Sequence, residues 1–232
     1  MTTRFAPYDR HCKLADMILA DPMLLGIVER LDISLGFGDA TVEDICARYG
    51  LSSELFLMIC NVYSFDTYRT NIEGLCRKDL PYLVAYLRAS HRYYTEVCFP
   101  RLHEHIHAMV ALLDPTNRGV IDRFYDDYQS EVDRHFAYEE DVVFPYIESL
   151  STGGTPVEGY HIEQFGHNHS NIEEKLNDIK NIVLKYLPEG CAVTSRHQVL
   201  TDIFRIEKDL DRHTEIENLI LIPLVEKLEN NE

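Results

Sequence analysis

Two stretches of this chain, Asp133-Arg-His-Phe-Ala-Tyr-Glu139 and Asp211-Arg-His-Thr-Glu-Ile-Glu217, agree at Asp, Arg, His and Glu, and the agreement runs on to Pro145 and Pro223. One offset relates them: 213 − 135, 217 − 139 and 223 − 145 each equal 78. The same offset carries His91 onto His169, so each half holds one histidine and then, 44 residues later (135 − 91 and 213 − 169), a His-x-x-x-Glu. A self-match of that length repeats a supersecondary unit rather than a short motif. A chain built this way folds as two copies of a helix pair.

From about Pro81 onward, long segments with helical periodicity alternate with breaker-rich links at Asp114-Pro-Thr-Asn-Arg-Gly119, Ser151-Thr-Gly-Gly-Thr-Pro156 and Pro188-Glu-Gly190. Three links imply four long helices, and strand-like alternation is absent, so the fold class expected is all-α, a four-helix bundle. Pro100, Pro145 and Pro223 fall inside or near the ends of these helices and are expected to kink or terminate them. The first eighty residues show shorter periodic segments near 14–19, 22–31, 42–49 and 53–63, with a break at Gly36-Phe-Gly38. The expected organisation is a small helical domain over 1–78 and the bundle over 79–232.

Each repeat histidine lies on the apolar stripe of its helix. His91 is accompanied by Val84, Leu87, Tyr94 and Cys98, and His169 by Ile162, Phe165, Ile172 and Leu176. His135 has Tyr128, Val132 and Val142, and His213 has Ile206, Leu210 and Ile220. A His and a Glu four residues apart share one helix face, so His135 with Glu139 and His213 with Glu217 can hold one metal site together. An inward carboxylate without a partner is costly, which ligation relieves. A core histidine or a His–Glu hydrogen bond would explain one such pair; six residues obeying one repeat point to metal.

The candidate ligands are therefore His91, His135, Glu139, His169, His213 and Glu217. Four imidazoles and two carboxylates exceed what one zinc takes and suit two iron ions, oxo- or hydroxo-bridged, with manganese the alternative. Such a count leaves open coordination for dioxygen, nitric oxide or water. Glu131 and Asp209, four residues before His135 and His213, are candidates to orient the imidazoles from behind. Tyr94 and Tyr138 are expected as core packing near the metals. The His103-Glu-His-Ile-His107 run has no counterpart 78 residues on, where Asn181, Val183 and Lys185 stand, and reads as a surface feature.

These residues resemble the hemerythrin-like superfamily, whose HHE repeats carry such ligands in a four-helix bundle. Ser90-His-Arg-Tyr-Tyr-Thr-Glu96, followed by Pro100, and Glu139-Glu-Asp-Val-Val-Phe-Pro145 resemble the group that repairs iron centres. That resemblance implies a non-haem di-iron protein acting on iron-sulfur or other iron centres under oxidative or nitrosative stress, with iron-sulfur proteins as clients. Leu31-Asp-Ile-Ser-Leu-Gly-Phe-Gly38 resembles the short N-terminal domain of that group, with Gly36 and Phe37 standing where the group has a cysteine pair. A second role, a dioxygen or nitric oxide sensor with the N-terminal domain as output, stays open, as does a homodimer.

The formal charge of −17 disfavours polyanions. The segment Asp44–Ser53 fits a helix-turn-helix spacing, but Ser53-Glu-Leu-Phe-Leu-Met-Ile59 offers no Lys or Arg, so nucleic acid is not expected as a partner. No apolar run spans a bilayer and no apolar leader opens the chain, making the cytoplasm the expected location. No hydrolase or transferase motif is present; any enzymatic activity expected is redox or iron-donating. The six cysteines form no CxxC pair and read as free thiols, mostly buried, with Cys191 expected at an exposed turn.

Overall fold

The computed structural model describes residues 6–111, 113–153, 160–165, 170–187 and 191–230. Among these the chain is helical, and the only β pairing is an isolated bridge between Lys13 and Thr41. Four short helices come first: α1 (Leu14–Ala20), α2 (Leu24–Arg30), α3 (Val42–Tyr49) and α4 (Ser53–Ser64). Longer runs then come in α5 (Leu80–Tyr93), α6 (Phe99–Val110), α7 (Pro115–Tyr138), α8 (Phe144–Ser151), α9 (Ser170–Asn181), α10 (Val193–Ile216) and α11 (Ile222–Glu229).

Local chemistry sets these boundaries. The Thr41 hydroxyl accepts from the Asp44 N–H at 3.2 Å while the Asp44 carboxylate accepts from the Thr41 N–H at 3.0 Å, a capping box that starts α3. Gly50 ends α3 at φ 67°, a left-handed conformation that costs glycine little. Asp114 caps α7 by accepting from the N–H groups of Thr116 and Asn117, with Pro115 in the first turn. The expected link 114–119 is thus mostly the first turn of a helix. The 188–190 link lies outside the described residues, as does 154–156 of the second.

The prolines do not terminate their helical runs, as the expectation had allowed. Four five-residue π turns, Tyr94–Cys98, Glu139–Val143, Ile182–Tyr186 and Glu217–Leu221, connect or extend the helices. In three of them a proline stands two residues after the last π position: Pro100, Pro145 and Pro223. Proline has no N–H to return to the carbonyl four residues back, and widening the preceding turn absorbs that gap without ending the helix. The wider turn also rotates the helix beyond it. Val142, expected on the inward stripe of His135, is 40% exposed, while Val143 is fully buried.

The contacts divide the chain into two compact units. The first holds Met1–Ala89, Tyr146–Gly159 and Glu215–Glu232, so α8 and α11 belong with α1 to α4. Its buried Arg30 donates from Nη1 to the hydroxyls of Tyr63 at 2.7 Å and Tyr86 at 3.3 Å, tying α2 to α4 and α5. Lys227 of α11 donates to the carbonyls of Ile72, Glu73 and Leu75. Helix α4 is buried along nearly its whole length, from Leu55 to Tyr63, and so forms core rather than a projecting recognition helix. Gly36 sits at φ 93°, a backbone state that a cysteine side chain would strain.

The second unit holds Ser90–Pro145 and Tyr160–Thr214. Within it, parts of all four long runs share one apolar core that includes Leu102 and Ile106 of α6, Val132 of α7, Ile179 of α9 and Ile203 of α10. Cys191 joins this core at 5% exposure, contrary to its expected exposure, because its side chain packs among the apolar residues of the cluster. Cys76 is the exposed thiol, and all six cysteines are free.

Candidate metal centre

The helix register brings the described repeat residues inward. His91 lies near the end of α5, His135 near the end of α7 and His213 near the end of α10. In both His-x-x-x-Glu copies the glutamate, Glu139 or Glu217, is the first residue of a π turn. A local change of helix type at a ligand is where π turns are commonly found. His91 is 4% and His213 2% exposed, and Glu139 and Glu217 are fully buried.

Glu139 is the hub. Its Oε2 lies 2.7 Å from Nε2 of His91, and its Oε1 lies 2.7 Å from Nε2 of His135. The His91 and His213 rings are 5.2 Å apart between centroids. One ligand atom from each of His91, Glu139, His213 and Glu217 lies within 4.8 Å of the others, the one metal-capable group of three or more among the described residues. His135 falls outside that tight four and meets it through the other oxygen of Glu139. His169, with His167, lies outside the described residues; Ile172 and Leu176, expected on its stripe, are buried in α9.

The structure also supplies a partner that the repeat does not reveal. Nδ1 of His91 lies 2.9 Å from Oε1 of Glu140, the residue after the ligand glutamate. Its equivalent in the second copy is Asn218, so the repeat gives no signal for it. Of the two residues expected behind the imidazoles, Glu131 pairs with Arg134 at 3.1 Å and Lys175 at 3.4 Å. Asp209 is buried at 7%, and its backbone carbonyl accepts from the Tyr94 hydroxyl at 3.2 Å.

Aromatic rings wall the group. His91 stacks on Phe136 with centroids 4.0 Å apart, and fully buried Tyr94 meets His213 edge-on at 5.7 Å. Tyr138 is only half-buried. In the 103–107 run, the Nε2 atoms of His103 and His107 are 2.9 Å apart on an exposed face. His105 departs from the surface reading: its Nδ1 lies 2.6 Å from the buried Asp202 carboxylate.

The donor geometry fits a cation. Burial pushes the Glu139 carboxyl up, and with His135 and His91 protonated their hydrogen bonds and charges would more than reverse this, taking it below the usual carboxylate range. With its Nδ1–H given to Glu140, neutral His91 would turn an Nε2 lone pair toward a carboxylate oxygen 2.7 Å away. Only a proton or a metal between the two makes that contact favourable. Imidazole nitrogen and carboxylate oxygen are the donors that iron and manganese accept.

Residues 82–226, more than half of the chain, match the sequence model of the hemerythrin HHE cation binding domain. The chain belongs to that family. No curated protein and no solved structure matches it. As an HHE protein it is a metal-binding protein of a type that usually takes iron, with His91, Glu139, His213 and Glu217 forming a cluster that could hold it. No helix among its described residues is long and apolar enough to cross a membrane.

Proposed function

We propose that this HHE protein holds two iron ions between His91, His135, Glu139, His169, His213 and Glu217 and uses them to protect or repair iron-sulfur and other iron centres under oxidative or nitrosative stress. The observation that carries the two-metal reading is the splitting of Glu139, whose oxygens face two different imidazoles. The irons, when bound, supply redox equivalents and open coordination for dioxygen, nitric oxide or water.

The chain's own residues prepare that chemistry. Glu140 holds the His91 ring in one tautomer by accepting its Nδ1–H, and stacking on Phe136 fixes the ring plane. Tyr94, anchored on the Asp209 carbonyl, closes the side of His213 against water. The repair role draws its support from the likeness of Ser90–Glu96 and Glu139–Pro145 to the repair-of-iron-centres group. It is tested by incubating the iron-loaded protein, without oxygen, with an enzyme whose iron-sulfur cluster has been oxidatively damaged. Recovered client activity is the expected outcome; an inert iron-loaded protein would remove the repair role.

One observation favours sensing as a second reading. Pro223 cannot donate to the Leu219 carbonyl, and the Thr70 hydroxyl does so instead at 3.0 Å. The π turn that begins at Glu217 is thereby bonded to the segment after α4. Nitric oxide titration should then change both the optical spectrum and hydrogen exchange at 70–75; a spectral change with exchange untouched speaks against sensing.

A further inference from the structure

Away from the HHE ligands, a groove of about 400 Å³ runs between α6 and the first turns of α10. Its lining includes Arg101, His105, Thr194, His197, Asp202 and Arg205. We propose that this groove binds a small phosphate-bearing anion.

The central observation is Asp202. It is 4% exposed, and both its oxygens are engaged by basic groups of α6: Oδ1 accepts from Arg101 Nε at 3.0 Å, and Oδ2 lies 2.6 Å from His105 Nδ1. A carboxylate buried this far is stable only when so paired. The pairing leaves particular atoms over. Arg101 uses Nε on Asp202 and keeps its two terminal nitrogens, and His105 uses Nδ1 and keeps Nε2. Arg101 and His105 are part-exposed along the groove, their side chains 36% and 25% accessible. A guanidinium whose back edge is pinned presents its remaining donors in a fixed fork, the geometry that suits a phosphate oxygen pair.

The rest of the groove continues the same chemistry. Arg205 contributes a second guanidinium, His197 a second imidazole and Thr194 a hydroxyl, while Asp202 is the only acidic residue of the lining among the described residues. In a chain of net charge −17, a groove with two arginines and one already neutralised carboxylate is a local reversal of sign. The start of α10 at Val193 adds the positive end of a long helix. The volume suits a small molecule. The buried Asp202 serves as a positioning residue, holding Arg101 and His105 in register.

The test uses the full-length, iron-loaded protein with two probes, inorganic phosphate and glycerol phosphate, followed by calorimetry and by the optical spectrum of the iron. Saturable binding with an unchanged spectrum is expected. Arg101→Gln and Arg205→Gln should each weaken it about tenfold, the size of one lost charge-assisted hydrogen bond. Asp202→Asn should weaken it several-fold; mere removal of a negative charge would instead strengthen it. Tighter glycerol phosphate identifies a phosphomonoester as the ligand, and equal affinities identify the free anion. Absence of saturation below about 10 mM, a range beyond small-ligand affinities of interest, overturns the proposal. So does binding that survives both arginine changes or perturbs the iron spectrum. Because the arginine variants keep every HHE ligand, their iron content reports on the metal centre separately.

Discussion

The two copies of the 78-residue repeat agree in their His-x-x-x-Glu segments and the π turns that follow, and differ in the residues beside them. In both, a histidine closes an α-helix, a glutamate four residues on opens a π turn, and a proline comes after that turn. Behind them the copies diverge. The first copy's π turn supplies Glu140 to the Nδ1 of His91, where the second has Asn218. The second copy's π turn is bonded to Thr70 through Leu219, for which the first has Asp141. A histidine near a helix end and a glutamate that opens a π turn are thus the shared device, while the positions of Glu140 and of Leu219 carry different residues in the two copies.

That contrast can be broken at several points. The largest effect is expected at Glu139→Ala, because one side chain faces both His91 and His135; Glu217→Ala should also lose metal. Both should cost more affinity than the roughly 10–100-fold typical of losing an outer partner. Equilibrium metal binding read by competition with a chromophoric chelator checks this, and unaltered binding in Glu139→Ala would remove Glu139 from the centre. Next comes Glu140→Gln, expected to weaken metal binding by about 10–100-fold, whereas Asn218→Ala should leave it unchanged. Equal effects would show that the copies are orientated alike.

Packing provides a third point. Val143→Ala should destabilise the protein by about 2 kcal/mol and Val142→Ala by no more than about 0.5 kcal/mol, read by urea denaturation, since only the former loses buried methyl groups. The reverse order would place the chain in a plain α register. Smallest is the Thr70 contact. Thr70→Val should cost about 1 kcal/mol in the parent and close to nothing in a Pro223→Ala background, where an N–H becomes available to Leu219. A double-mutant cycle without coupling would dissolve that link.

These sites also mark where a linear reading reaches its limit. The offset between His135 and His213 is visible without any structure because ligand spacing on a helix is a matter of counting, and the four-run, all-helical architecture can be reasoned from it. The π turns are not visible that way. One extra residue in a turn leaves no trace in an apolar pattern until the register after it is seen to slip, as at Val142 and Val143. Pro100, Pro145 and Pro223 were the only hint, and a proline alone does not distinguish a widened turn from a kink. Glu140 was hidden because it has no repeat counterpart. Glu131 stands four residues before His135, and its pairing with Arg134 and Lys175 is a contact that the spacing does not announce. The merging of α8 and α11 with the N-terminal helices rests on contacts such as Lys227 to the carbonyls of 72, 73 and 75, which no periodicity announces.

The central claim is a two-iron centre built by the repeat. Its most direct test is iron quantification with Mössbauer spectroscopy on protein purified without chelator, comparing the parent with His169→Ala, His167→Ala and His103→Ala. Two coupled irons per chain, lost in His169→Ala and retained in the other two, is the predicted result. A single metal, or loss on His103→Ala with His169→Ala intact, would contradict it.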